Sequence, residues 1–277
     1  MIPSANKEYV LKTLQIYDTK ALKKYGQNFL IDENVAKSIV DAVTSDDNST
    51  IIEIGPGLGA LTCYLLSKKG KKILIDVDEI MIEHLRRQID DKNVEIIKQD
   101  FLKYNFDSIS SNIVIVSNVP YYITTEIIER LISCNKLSQM TLMVQKEAYY
   151  RLVAEKGTKE YSPTSIFIEY LGGSKVLNKI SRHAFIPEPH VDSLVFQVNV
   201  KKKRKAKDEK LFFKTTKAMF KMRRKTILNN LTQFLHEKEK AINILNKLNC
   251  SLTSRPEQLS LSFYLDLADL LFTDKQF

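Results

Sequence analysis

The sequence predicts an α/β protein: a mostly parallel sheet with helices on both faces, followed by a small all-helical domain. Three observations lead there. From Thr50 onward short β-rich runs alternate with longer amphipathic ones. A glycine turn, EIGPGLG, ends the first of those runs. Past Val200 the pattern turns helical and the charge turns basic. With 277 residues and 44% apolar content the chain can fill one large domain, or a medium domain with an appendage, which excludes disorder and fibre.

The elements follow in order. The first twenty residues show no strong pattern, and GQNFLID reads as a polar turn before a helix. TIIEIG is a strand followed by LGALTCYLLSKK, KKILID a strand followed by EIMIEHLRRQI, VEIIK a third strand, and NIVIVSN a fourth followed by TTEIIERLI. Such alternation indicates parallel strands joined by crossover helices. TLMVQ and SLVFQVNV are further strands, expected to include antiparallel pairing, with PTSIFIEYL between them as a helix begun by Pro163. Beyond the lysine run, Leu211, Phe212, Ala218, Met219 and Met222 fall on one side of a helix, and three more helical stretches follow. The expected division is therefore a catalytic domain over 1–200 and a basic helical domain over 201–277, with KKKRKAKDEK as linker or first turn.

Composition removes several function classes. No run approaches the roughly 18 apolar residues of a membrane span, and MIPSANKEYVLK lacks the apolar stretch of a secretory signal, so a cytoplasmic protein is expected. Cys63, Cys134 and Cys250 are far apart and show no CxxC spacing, and His84, His183, His190 and His236 are scattered. Neither a disulfide framework nor a metal site is expected.

The formal charge of +9 is unevenly placed. Residues 201–277 hold 18 Lys or Arg against 8 Asp or Glu, leaving 24 against 25 before them. Lys201, Lys202, Lys203 and Arg204 at one end of the basic stretch, and Arg223, Arg224 and Lys225 at the other, are candidate contacts to the phosphates of a polyphosphate. The plain alternative is a solvated linker.

Gly55, Gly57 and Gly59 stand where a strand gives way to a helix, so the backbone must turn tightly and a ligand can approach it closely. Asp76, at the end of the next strand and 21 residues after Gly55, is placed to hold two ribose hydroxyls. The pair suggests a nucleoside-containing cofactor. Gly55, Gly57 and Ala60 also satisfy a GxGxxA dinucleotide fingerprint, so the turn does not choose between hydride and methyl chemistry. Asp100, after the third strand, lies on the same edge, where it could take an adenine amino group or simply cap a helix.

The fourth strand finishes in SNVPYYI, with Asn118, Pro120 and Tyr121 at that edge. Proline cannot continue the ladder, so the chain leaves the sheet there. The Pro120 carbonyl and the Asn118 amide oxygen can then serve as two acceptors beside the Tyr121 ring, an arrangement that fits a planar amine. An adenine amine is a poor nucleophile because its lone pair is delocalised, and two acceptors on its hydrogens would localise that density. Phe185, in HAFIPEPHVDS, is followed by two prolines that stiffen a loop; it is expected to bring a second ring to the other face of a flipped base, or else to plug the core.

With these residues in view, the chain resembles the ribosomal RNA adenine N6,N6-dimethyltransferase family, a branch of the class I S-adenosylmethionine-dependent methyltransferases with a Rossmann-like fold. KKYGQNFLID, EIGPGLG, NVPYYI, FIPEPHVDS, and FKMRRKTILNNL with RPEQLSL carry the resemblance, which spans residues 23 to 270. It implies that S-adenosylmethionine is the cofactor, that Asn28 and Leu30 line its site, that Gly55 meets its amino-acid end beside Gly57, and that Asp76 takes the ribose and Asp100 the adenine. Asn118 would serve both cofactor edge and target amine. Asp76 replaces the Glu common among relatives, a shorter carboxylate.

One branch of that family modifies two adjacent adenosines in a terminal hairpin loop of small-subunit RNA during ribosome assembly, and another confers macrolide resistance by modifying one large-subunit adenosine. FKMRRKTILNNL and RPEQLSL resemble the small-subunit branch. The implied partner is small-subunit RNA in a pre-30S particle, its phosphates gripped by the basic residues named above; a monomer is the default, and no membrane or metal is expected. Two rivals stand beside this reading: a DNA or free-nucleotide adenine methyltransferase, and a non-catalytic assembly or transcription factor.

Overall fold

The computed structural model describes residues 4–120 and 123–273. In chain order the elements are α1 (Lys7–Ile16), β1 (Phe29–Leu30), α2 (Glu33–Asp41), β2 (Ser49–Ile54), α3 (Thr62–Leu65), β3 (Lys71–Asp76), α4 (Glu79–Gln88), β4 (Val94–Lys98), β5 (Asn112–Asn118), α5 (Thr124–Ile132), β6 (Leu137–Gln145), α6 (Lys146–Leu152), α7 (Pro163–Leu171), β7 (Lys175–Ile180), β8 (Phe185–Ile186), β9 (Ser193–Asn199), α8 (Glu209–Met219), α9 (Ile227–Leu235), α10 (Lys238–Lys247) and α11 (Leu261–Thr273).

Two units compose the chain. The first, residues 1–149 with 174–200, holds a seven-stranded sheet in the order β4-β3-β2-β5-β6-β9-β7. The strands from β4 through β6 run parallel, and β9 pairs antiparallel with both β6 and β7, as the expected mixture required. β2 is buried along its whole length, the mark of a parallel strand covered on both faces. The strand order turns around between β3 and β5, so a crevice opens at the carboxyl ends of β2 and its neighbours.

Three local features depart from the sequence reading. Residues 7–16 form a helix after all, capped by the Asn6 side chain, which accepts from the Glu8 and Tyr9 amides; Val10, Thr13 and Leu14 are its buried side. The stretch LGALTCYLLSKK contains only the four helical residues of α3, with Gly59 at φ +87° before it and no side-chain cap at Leu61. β7 was unforeseen because polar residues interrupt it and most of it is not buried.

The second unit joins residues 150–173 to 201–277, so the expected single cut after Val200 becomes three crossings. The physical reason lies in α7. Seven of its nine residues are buried, from Thr164 to Leu171. Its Phe167 and Tyr170 rings pack on Phe212 and Phe213 of α8, with centroids 4.8 to 6.1 Å apart. Ser162 caps α7 with Pro163 in its first turn, as expected. Among the described residues no helix is long and apolar enough to cross a membrane, and no cluster of side chains could hold a metal ion.

Candidate active site

The crevice at the sheet edge is a cavity of about 350 Å³. Asn28, Leu30, Gly55, Gly57, Asp76, Asp100, Asn118 and Pro120 all line it, so residues up to 92 positions apart in sequence converge. Gly55 and Gly57 have φ of +65° and +54°, a backbone region that other residues enter only with strain. No atom lies within 4 Å of where a Cβ on Gly55 would stand, so the backbone there faces open space. A Cβ on Gly57 would meet the Phe29 ring at 3.4 Å. The two glycines thus serve different ends, one leaving room for a ligand and the other admitting the covering segment.

Asp76 is held by two backbone donors: the Gly57 amide donates to Oδ2 at 3.2 Å and the Asp78 amide to Oδ1 at 2.9 Å. Burial pushes its pKa up from the ordinary 3.8 to about 6, against the pull of those donors. Asp100 accepts from the Leu102 amide at 2.9 Å and also stands on the cavity wall, so it is a cap and a wall residue at once.

At the end of β5 the Asn118 amide donates through Nδ2 to the Asn28 carbonyl at 3.1 Å. That bond fixes the amide's orientation and leaves Oδ1 as its acceptor end. Asn28 in turn donates through Nδ2 to the Gly26 carbonyl at 3.1 Å. The Pro120 carbonyl, expected to stand free as a second acceptor, instead accepts from the Ile123 amide at 3.2 Å and the Thr124 hydroxyl at 3.4 Å. Tyr121 lies outside the described residues.

Phe185 is a correction. It is 2% exposed and does not line the cavity. β8 pairs antiparallel with β1, placing Phe185 opposite Leu30, and the Phe185 ring joins a core cluster with Leu30, Ala36, Ile39 and Val195. Of the two expectations stated for this ring, the structure places it in the core.

Several residues of the site had escaped the sequence reading. Glu53, inside β2, is 2% exposed, lines the cavity, and accepts a hydrogen bond from the Thr62 hydroxyl at 2.6 Å. Burial first, and the Asp76 charge in addition, push its pKa up to about 8, while Thr62 pulls it down. A carboxylate within the apolar run TIIEIG was its available signal. Gln27 links the covering segment to the first turn of α4, donating to Asp78 Oδ2 at 2.7 Å while its Oε1 accepts from the Leu22 amide at 2.9 Å. Ser4 and Val10 also stand on the cavity wall.

The basic residues of the second unit divide. Lys202 pairs with Glu209 and lies over the Tyr170 ring. Arg204 pairs with both Asp266 and Asp269 at 2.6 Å. Arg223 donates to the carbonyls of Lys159 and Tyr161. These three are engaged within their own unit. Lys201, Lys203, Arg224 and Lys225 are exposed.

A glycine turn between β2 and α3, acids after β3 and β4, and an Asn-x-Pro end to β5, all on one edge of a mostly parallel sheet, define a class I methyltransferase fold. The family model for ribosomal RNA adenine dimethylase matches residues 18–267. The ribosomal RNA small subunit methyltransferase A of Mycoplasma mycoides is 37% identical over 266 residues, covering 92% of this chain and 98% of that protein. The protein of the same name from Mycoplasmopsis pulmonis is 42% identical over 221 residues, covering 79% and 87%. A crystal structure of a dimethyladenosine transferase from Plasmodium falciparum superposes with a TM-score of 0.72 at 26% identity, covering 89% of this chain and 97% of that one. The 23S rRNA methyltransferase ErmE shares the fold, with a TM-score of 0.64 at 18% identity and coverage of 88% and 100%. The chain belongs to the ribosomal RNA adenine dimethylase family.

Proposed function

We propose that this protein uses S-adenosylmethionine to dimethylate N6 of two adjacent adenosines in the 3′-terminal hairpin loop of small-subunit (16S) ribosomal RNA during ribosome assembly. The observation that carries the reading is the placing of Asn118: its amide is fixed on the wall of the cavity that also holds the glycine turn, Asp76 and Asp100. Donor cup and amine acceptor share one space.

The donor supplies an activated methyl group on a positively charged sulfur. Gly55 would leave room for its amino-acid end, Asp76 would accept from the ribose hydroxyls, and Asp100 would accept from the adenine amine. Asn118 Oδ1 accepts from an N6 hydrogen of the target base, holding the nitrogen lone pair out of the ring and in line with the methyl carbon. The N–C bond would form as the C–S bond breaks, leaving a neutral thioether, and the cationic amine would then release its extra proton to water. No strong base is needed, and the gain comes from alignment and exclusion of water during the transfer. Pro120 ends the strand so that Tyr121 can stack on the base. Extruding an adenosine from a loop costs a few kcal/mol, which stacking can offset.

Lys201, Lys203, Arg224 and Lys225 are exposed members of the predicted phosphate-binding set, and phosphate contacts give affinity without sequence information. Lys202, Arg204 and Arg223 shape the unit that presents them. We assign the protein to the cytoplasm, acting as a monomer on a pre-30S particle; the small-subunit relatives support that branch. Transfer of labelled methyl groups to RNA, DNA and immature subunits tests the reading, with label expected in small-subunit RNA as two adjacent dimethyladenosines. Label appearing only in DNA would end it.

A further inference from the structure

Ser4 is a buried polar residue, 0% exposed, and its hydroxyl has no hydrogen-bond partner among the described residues. It is also on the wall of the cavity. A buried hydroxyl without a partner forfeits its hydration for nothing, and such groups in folded proteins call for a ligand, an ion or a water to complete them. The rest of the neighbourhood says which. The Ser4 backbone approaches the Cys63 thiol, Cys63 follows Thr62, and Thr62 donates to Glu53. Ser4 therefore belongs to the Glu53 end of the cavity.

The segment is held there by built contacts. Val10 and Leu14 of α1 pack with Phe29, Leu58 and Met81 in one apolar cluster. The Tyr9 hydroxyl is 3.1 Å from His84 Nε2, and the Tyr9 and Tyr17 rings both meet the buried His84 ring edge-on. α1 is thus anchored to α4, and Ser4 ahead of it is carried to the cavity.

From this we infer that Ser4, ahead of α1, is part of the donor site, and that its hydroxyl donates a hydrogen bond to the carboxylate of the donor's amino-acid end. The inference rests on the reading of the cavity as the S-adenosylmethionine site. A zwitterionic amino-acid head needs an acceptor for its ammonium and donors for its carboxylate; Glu53 provides the first, and Ser4 adds a donor that the glycine turn does not supply.

Calorimetric titration of the full chain with S-adenosylhomocysteine and with 5′-methylthioadenosine, which lacks the amino-acid end, tests it in wild type and Ser4→Ala. The variant is expected to bind S-adenosylhomocysteine roughly tenfold more weakly and methylthioadenosine as wild type does, since a hydrogen bond to a charged group is lost only with the first. Thermal unfolding without ligand should be unchanged or slightly raised in Ser4→Ala, because an unpaired buried hydroxyl has been removed. Equal weakening of both ligands, unchanged binding of both, or a lowered unfolding temperature would each overturn the assignment. Failure of the wild type itself to bind S-adenosylhomocysteine would instead overturn the reading of the cavity.

Discussion

The cavity has two walls of different construction. One is the sheet edge, where Gly55, Asp76, Asp100 and Asn118 stand at or just past the carboxyl ends of four strands that are neighbours in the order β4-β3-β2-β5. Their spacing is set by backbone ladders, which no single side chain can undo. The other is the cover, made from Ser4, from α1 and from residues 24–30. It is held by a few side-chain bonds, Gln27 to Asp78, Tyr9 to His84 and Asn118 to the Asn28 carbonyl, and by the short pairing of β1 with β8. The difference suggests a division of labour. The rigid wall fixes where the reacting groups stand, while the cover, with fewer bonds to break, governs how the donor enters and leaves.

Substitutions at the two walls should therefore differ in kind. The largest effect is expected at Asn118: Asn118→Ala should slow methyl transfer by at least about 100-fold while RNA affinity stays within about twofold, because an acceptor used during the reaction is lost. Equal loss of both, measured by single-turnover transfer and filter binding, would move Asn118 out of the reaction. Next is Phe185, where the cover meets the core. Phe185→Ala should cost roughly 3–5 kcal/mol of stability in denaturant unfolding, as for a packed ring. Unchanged stability with lost transfer would return this ring to the base.

Asp76→Asn should weaken the donor roughly 10- to 100-fold, the span for a hydrogen bond to a charged acceptor. With its pKa raised to about 6, wild-type affinity for the donor should fall as pH drops through that value, and the variant should lose this dependence. In the free protein the sign is reversed. A carboxyl raised from 3.8 to about 6 on folding contributes stability fully below 3.8 and loses it as pH rises to about 6, so Asp76→Asn should stabilise the unliganded protein at pH 7. The smallest effect belongs to the cover alone: Gln27→Leu should raise the donor's dissociation rate a few-fold with little change in transfer at saturation. A transfer defect as deep as that of Asn118→Ala would erase the distinction between the walls.

The rigid wall was also the legible one. Strand periodicity, the glycine turn and the acid 21 residues on are local patterns, and parallel pairing carries each strand end to the same edge. The cover was not legible, because its contacts join Tyr9 to His84 and Gln27 to Asp78 across 75 and 51 residues, which no local pattern encodes. Phe185 shows a different limit: proline-stiffened flanks predict a fixed loop but not which way its ring points. Likewise the basic run predicts a charged surface, yet Arg204 lies between two acids of α11 that stand 62 and 65 positions later. The helix begun by Pro163 was legible as a helix, but its partners were not, since sequence order set it beside the strands and packing joined it to α8.

A crystal structure of the protein with S-adenosylhomocysteine and adenosine tests the central claim most directly. The ribose hydroxyls are expected on Asp76, the cofactor adenine at Asp100, and the free adenosine's N6 within hydrogen-bond distance of Asn118 Oδ1. Ligand density away from the sheet edge, or an adenosine whose N6 faces away from Asn118, would contradict the account.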